Sequence, residues 1–163
     1  LFGAAECLRA KMCLDYLARN QIEQFGRLLK ISHNGDRVSA SSDGEYIPAL
    51  PRCDDAALNA LIADLESQHP DRVLNAQLYM QSGTYACSTP EIDKMVDIAC
   101  SVDGVAGAQI AGAGLGGCIM VLAKKENIYR LKKALITGYY KPAKLEPAIL
   151  PCITVEGAGL AQF

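Results

Sequence analysis

The chain has 163 residues, half of them hydrophobic, enough to bury one sizeable core, so a single domain is expected. Its 16 basic and 18 acidic residues are mixed along the sequence and leave a formal net charge of −2. With no basic block and no aromatic–basic stripe, the electrostatic case for a nucleic-acid partner is absent.

No apolar run reaches membrane-spanning length and no signal peptide opens the chain, so no membrane partner and a cytoplasmic location are expected. The seven cysteines are odd in number, form no C-x-x-C pair and mostly sit in apolar runs. They read as reduced cysteines used as small hydrophobes, not as a disulfide frame or a zinc site.

The opening "LFGAAECLRAKMCLDYLARN" starts inside an amphipathic helical pattern without a methionine, which suggests a piece of a longer protein. Ala5, Leu8, Met12 and Tyr16, then Ile22, Phe25, Leu28 and Leu29, recur at helical spacing and predict two helices ending near Ser32. Asn20, with Glu23 three residues on, is the expected cap of the second. "HNGDRVSASSDGEYIPALPRCDD" is rich in Gly, Ser, Asp and Pro and reads as a loop, with residues 34–52 the most mobile part of the chain.

A helix near 55–68 follows, capped by Asp54 or Asp55 and packed through Ala57, Leu58, Leu61 and Leu65. The stretch 69–87 carries no clear pattern. Ser88 or Thr89, then Pro90 and Glu91, make a strong helix start, with Ile92, Met95, Val96 and Ala99 on its buried face. "GVAGAQIA" and "CIMVLA" read as strands on either side of a glycine cluster. A helix over 125–140 and a last strand near 149–155 complete an α+β order with a small antiparallel sheet.

The glycines at 112, 114 and 117 fit G-x-G-x-x-G, the spacing of a dinucleotide-binding turn. That turn needs a helix opening on its third glycine and a carboxylate about twenty residues on. "CIMVLA" is short and sheet-prone, and the sequence near 137 is "ITGYY", so neither is present. A plain hairpin needs only one or two glycines. Four within six residues leave backbone N–H groups bare, so another backbone or an anion can approach closely.

"AQIAGAGLGGCIMVLAKKENIYRLKKAL" resembles the third sequence motif of the galactokinase branch of the GHMP sugar kinases: a strand, G-[GA]-G-x-G-G-C, a strand, then a helix. "LLKISH" resembles that family's short leucine-rich helix ending in Ser-His. "YACSTPEIDKMVDIACSVDGVAGAQIAG" resembles its tyrosine, Ser-Thr-Pro-Glu helix and following strand, and "LPCITVEGAGL" its closing strand. Four elements in the family's order cover most of residues 4–160.

The resemblance implies a two-layer α+β domain of ferredoxin-like type, a small antiparallel sheet with helices on one face. It implies an ATP-dependent kinase for a sugar hydroxyl, in galactokinase the C1 hydroxyl of galactose, with ATP and Mg²⁺ bound mainly by an N-terminal half. Gly112, Ala113, Gly114, Gly116 and Gly117 would pack against the phosphate loop and support the triphosphate. The family's Gly-Glu-His sugar contacts, its Pro-x-x-x-Gly-Leu-Ser-Ser phosphate loop and its catalytic aspartate have no match here. The chain is therefore expected to be the C-terminal half of a two-domain kinase, with its own N-terminal domain as partner and no catalytic or metal-binding residue of its own. Residues 34–83 interrupt the family pattern as an insertion that could cover the cleft, alter sugar choice or mediate dimerisation.

Single residues carry less. His33 is expected to satisfy carbonyls at a helix end, with approach to the active cleft as the alternative. His69 reads as a surface residue. Asp36 and Arg37 read as a solvated turn, with sugar or phosphate recognition as the alternative. Tyr85 is expected under the glycine loop, and Cys118 in the core. Three functions stay open: a sugar kinase (for galactose, N-acetylgalactosamine, arabinose or galacturonate), a galactokinase-like sensor that binds sugar and ATP without transfer, and an α+β binding or assembly domain with no nucleotide role.

Overall fold

The computed structural model describes residues 1–112 and 117–153. Two helices, α1 (Phe2–Ala18) and α2 (Ile22–Asp36), open the chain. Asn20 joins them differently from the expected cap. It takes a left-handed φ of +55°, with Asn20 N–H bonded to Leu17 O and Gln21 N–H to Tyr16 O. Those two bonds are a Schellman closure of α1, for which asparagine's tolerance of positive φ suits it.

The expected loop at 34–52 contains a hairpin instead, β1 (Ser39–Ser42) with β2 (Glu45–Pro48), reversed at Asp43 and Gly44. Both turn residues have positive φ, 50° and 88°, the Asp-Gly chemistry of a two-residue hairpin. Helix α3 (Asp55–Leu65) is capped by Asp54, whose carboxylate accepts the Ala57 N–H at 2.8 Å. The expected packing of its leucines is weaker than the sequence suggests. None of its residues is buried, and Leu65 is 44 % exposed. Helix α4 (Pro70–Ala76) lies across α3.

Helix α5 (Pro90–Cys100) follows its sequence signals, with Thr89 Oγ1 accepting the Ile92 N–H and Pro90 in the first turn. It leads into β3 (Val105–Ala111), which pairs antiparallel with β4 (Cys118–Ala123). Helix α6 (Ile128–Leu135) continues through a π-helical turn, Ile136–Tyr140, and a short α7 (Lys141–Ala143). The expected strand at 149–155 does not form over 149–153, which carry no regular structure; 154 and 155 lie outside the described residues. The α+β class is as expected, but among the described residues the strands form two separate antiparallel hairpins instead of one three-stranded sheet.

The core sits between α5, β3 and α6, where Val96, Ala99, Val105, Ala108, Leu131 and Leu135 are buried together. Ile119 and Val121 of β4 close it. Helix α2 packs on β3 by direct backbone contact: a Cβ added to Gly107 would stand 2.1 Å from Gly26 O, and one added to Gly26 would stand 2.4 Å from the Ala106 carbonyl. Only residues without a side chain admit that approach.

Gly107→Ala and Gly26→Ala should each cost about 1–3 kcal/mol or more, because backbone and not a movable side chain must yield. Gly3→Ala, on α1 with nothing within 4 Å of the new methyl, should stabilise by about 0.5–1 kcal/mol. Chemical denaturation of the three variants measures both signs.

Candidate functional site: the glycine turn and its buried support

Residues 112–117 connect β3 to β4, whose last partners are Ala111 and Cys118. A strand leaves the glycines, not a helix, so the dinucleotide-binding turn is excluded. Gly112 is exposed, has φ +75°, and would meet nothing within 4 Å if it carried a Cβ. It is a bare, left-handed backbone position that no described residue crowds. Gly117 is exposed before β4, while Ala113, Gly114 and Gly116 lie outside the described residues.

Behind the turn lies a polar cluster that sequence reasoning did not assemble. His33, in the last turn of α2, is fully buried, and its Nδ1 accepts the Ile110 N–H at 3.4 Å. An acceptor Nδ1 leaves the proton of neutral imidazole on Nε2. Nε2 stands 3.3 Å from Oδ1 of Asp93, itself fully buried, in an approach too oblique for an aligned hydrogen bond.

The other oxygen of Asp93 accepts three donors: Val38 N–H at 3.1 Å, Ser39 N–H at 2.9 Å and Ser39 Oγ–H at 2.9 Å. Burial alone would raise the Asp93 carboxyl, but the contacts from His33, Ser88, Ser39 and Val38 outweigh it and hold the group at about 2. His33 thus serves neither the helix-end carbonyls nor an open cleft; it ties α2 and α5 to β3. The α2 carbonyls have other donors: Gly35 O accepts Tyr85 and Ala86 N–H, and Asp36 O accepts Ser88 N–H.

Asp36 and Arg37 are not a solvated turn. Arg37 forks onto Asp97 of α5 at 2.5 and 3.0 Å, and Tyr46 Oη donates to the same carboxylate at 2.8 Å. Burial and that carboxylate push the Tyr46 phenol up. Asp36 is buried and accepts the Cys87 thiol at 3.3 Å; burial, then Asp36, push that thiol to about 11 and keep it unreactive.

Tyr85, expected under the glycines, is not buried. It is 62 % exposed and stacks on Phe2 with ring centroids 5.0 Å apart. Cys118 is exposed, not in the core, and His69 is a surface residue preceding α4. An open cleft of about 350 Å³ runs between Tyr46, Glu91, Lys94 and Tyr139, and no described residue of the glycine turn lines it. Among the described residues no three carboxylate, imidazole or thiol side chains converge to hold a metal ion. No described helix is long and apolar enough to cross a membrane.

Asp93 sets an acid limb. Its folded value near 2 lies below the ordinary 3.8, so its contribution is present above about pH 4 and lost as pH falls towards 2. Asp93→Asn should therefore destabilise by on the order of 2 kcal/mol at pH 7, with the gap closing between pH 4 and pH 2. Urea unfolding of both proteins across that range measures the gap; a constant gap would contradict the assignment.

The family described as GHMP kinases C terminal matches residues 57–141, from within α3 to the start of α7. Among curated proteins, a galactokinase of Actinobacillus succinogenes is 33 % identical over 86 residues, 52 % of this chain and 22 % of the relative. A galactokinase of Saccharomyces cerevisiae is 42 % identical over 89 residues, 48 % of this chain and 17 % of the relative. One from Chloroflexus aggregans is 30 % identical over 111 residues, 65 % of this chain and 26 % of the relative. The chain thus matches between about a sixth and a quarter of the length of these relatives. The family match spans α5, both strands and the glycine turn, and covers more than half of the sequence: the chain belongs to the GHMP kinase family, through that family's C-terminal domain.

Proposed function

We propose that this chain forms the glycine-turn wall of an ATP-dependent sugar kinase, with the C1 hydroxyl of galactose as acceptor. It works with an N-terminal half that binds most of the nucleotide, the Mg²⁺ and the sugar. The observation that carries the reading is Gly112: a bare left-handed position at the end of a buried strand, inside the stretch matched to a kinase family.

In the transfer, the bond between the γ-phosphorus and its bridging oxygen breaks and ADP leaves, while the sugar oxygen bonds to the same phosphorus and its hydroxyl proton passes to a base of the N-terminal half. Charge spreads over the phosphoryl oxygens, and catalysis rests on positioning and on donors fixed beforehand. Gly112, Gly114, Gly116 and Gly117, with the small Ala113, would serve this by offering backbone N–H groups and by presenting little side chain to an approaching phosphate-binding loop. The chain contributes no acid, base or nucleophile in this scheme. Its relatives' galactokinase names support galactose as acceptor.

The test is steady-state kinetics of the full-length protein with ATP–Mg²⁺ and galactose, beside thermal unfolding with each ligand. Gly114→Val and Gly112→Val should each lower turnover by about a hundredfold while the protein stays folded, because a displacement of an ångström is that costly. At Gly112 a β-branched residue also resists the observed φ of +75°. Unchanged kinetics in folded variants would assign the glycines to the hairpin alone. Protection by both ligands without transfer would make the protein a sensor, and no protection by ATP–Mg²⁺ would overturn both nucleotide readings.

A further inference from the structure

The glycine turn hangs from Ile110, two residues before Gly112, and Ile110 has an unusual backbone partner. Its N–H points away from β4 and is taken by a side chain, Nδ1 of His33, at 3.4 Å. That imidazole is held in turn. One ring nitrogen is engaged by Ile110, and the other faces Oδ1 of Asp93 at 3.3 Å. Asp93 cannot rotate freely, because its second oxygen is filled by two backbone N–H groups and one hydroxyl from Val38 and Ser39, where the first hairpin begins. His33, Asp93 and Ser39 are all almost wholly buried.

We propose that His33 is a positioning residue for the glycine turn, and that the start of β1, through Ser39 and Asp93, sets its orientation. The first hairpin thereby acquires a role: it fixes a carboxylate, the carboxylate orients an imidazole, and the imidazole fixes the end of β3. The consequence for phosphoryl transfer rests on the kinase reading above; the positioning itself does not.

Packing alone would make His33 replaceable by any side chain of similar volume. Positioning requires an acceptor facing Ile110 and a donor facing Asp93. His33→Gln supplies both on one planar group, whereas His33→Leu supplies neither and leaves a buried carboxylate without its partner. Ser39→Ala removes one donor and keeps both backbone N–H groups.

The experiment is amide hydrogen exchange of the intact protein, read at Ile110–Gly112 and in α1 as reference, with ¹⁵N shifts of the His33 ring. The expected ring state is the Nε2–H tautomer. Exchange at Ile110 should accelerate about tenfold or more in His33→Leu and about threefold in Ser39→Ala, return close to wild type in His33→Gln, and stay unchanged in α1. In kinetics, the Leu variant should lose in ATP-dependent steps, with KM for the sugar unchanged.

An Nδ1–H tautomer, an unchanged Ile110 rate in folded His33→Leu, or equal rates in the Gln and Leu variants would overturn the proposal. If His33→Leu fails to fold, Ser39→Ala decides: an unchanged Ile110 rate there overturns it. A wild-type protein without transfer activity would overturn the kinase reading, and the exchange rates and tautomer would still decide the positioning.

Discussion

The contact between Gly26 and Gly107 sets the register for the site. Helix and strand approach until backbone meets backbone, so α2 cannot slide along β3 without a steric cost. From Gly26 to His33 is seven residues, about 10 Å of helix and within roughly 20° of two full turns. From Gly107 to Ile110 is three residues, about 10 Å of strand. The two lengths agree, so the contact at the glycines delivers His33 to the Ile110 N–H. The imidazole bond is then a consequence of packing as much as a cause, and Asp93 secures what the glycines align.

The parts legible in the sequence are those with local causes. Pro90 in a first turn after Thr89 makes a helix wherever it stands, and strands separated by residues 112–117 must pair as a hairpin. The first hairpin escaped because β1 reads Ser-Ala-Ser-Ser and offers no alternation of apolar and polar residues. Its Asp-Gly turn was the available signal, and composition masked it. Asn20 carried two local options, cap or left-handed closure, and the chain beyond it chose the second. The last expected strand had β-branched residues but no fixed partner over 149–153, and propensity alone does not make a strand.

The buried cluster was illegible for a different reason. His33 and Asp93 are 60 residues apart, and nothing in either neighbourhood announces the other. The same holds for Arg37 and Asp97, also 60 apart, of which Arg37 reads in the sequence as part of a solvated turn. These pairs explain how a polar hairpin without an apolar face stays attached. Asp93 holds its first strand through backbone and hydroxyl donors, and Asp97 holds its second through Tyr46. Charge-assisted bonds replace the missing hydrophobic face.

The two arms of the glycine turn are unequal. In β3, Val105, Gly107, Ala108 and Ile110 are buried, and the strand contacts α2, α5 and β4. In β4, Cys118 is exposed and Met120 is 53 % exposed. Both arms reach the core, and β3 is the more deeply buried of the two. Contacts that hold β3 therefore act on Gly112 more strongly than changes to β4 of similar size. A kinase cleft needs one rigid wall and an approachable backbone at its edge. On the proposed kinase reading, the glycine contact and the buried charge would supply that wall, and Gly112 the backbone without a side chain.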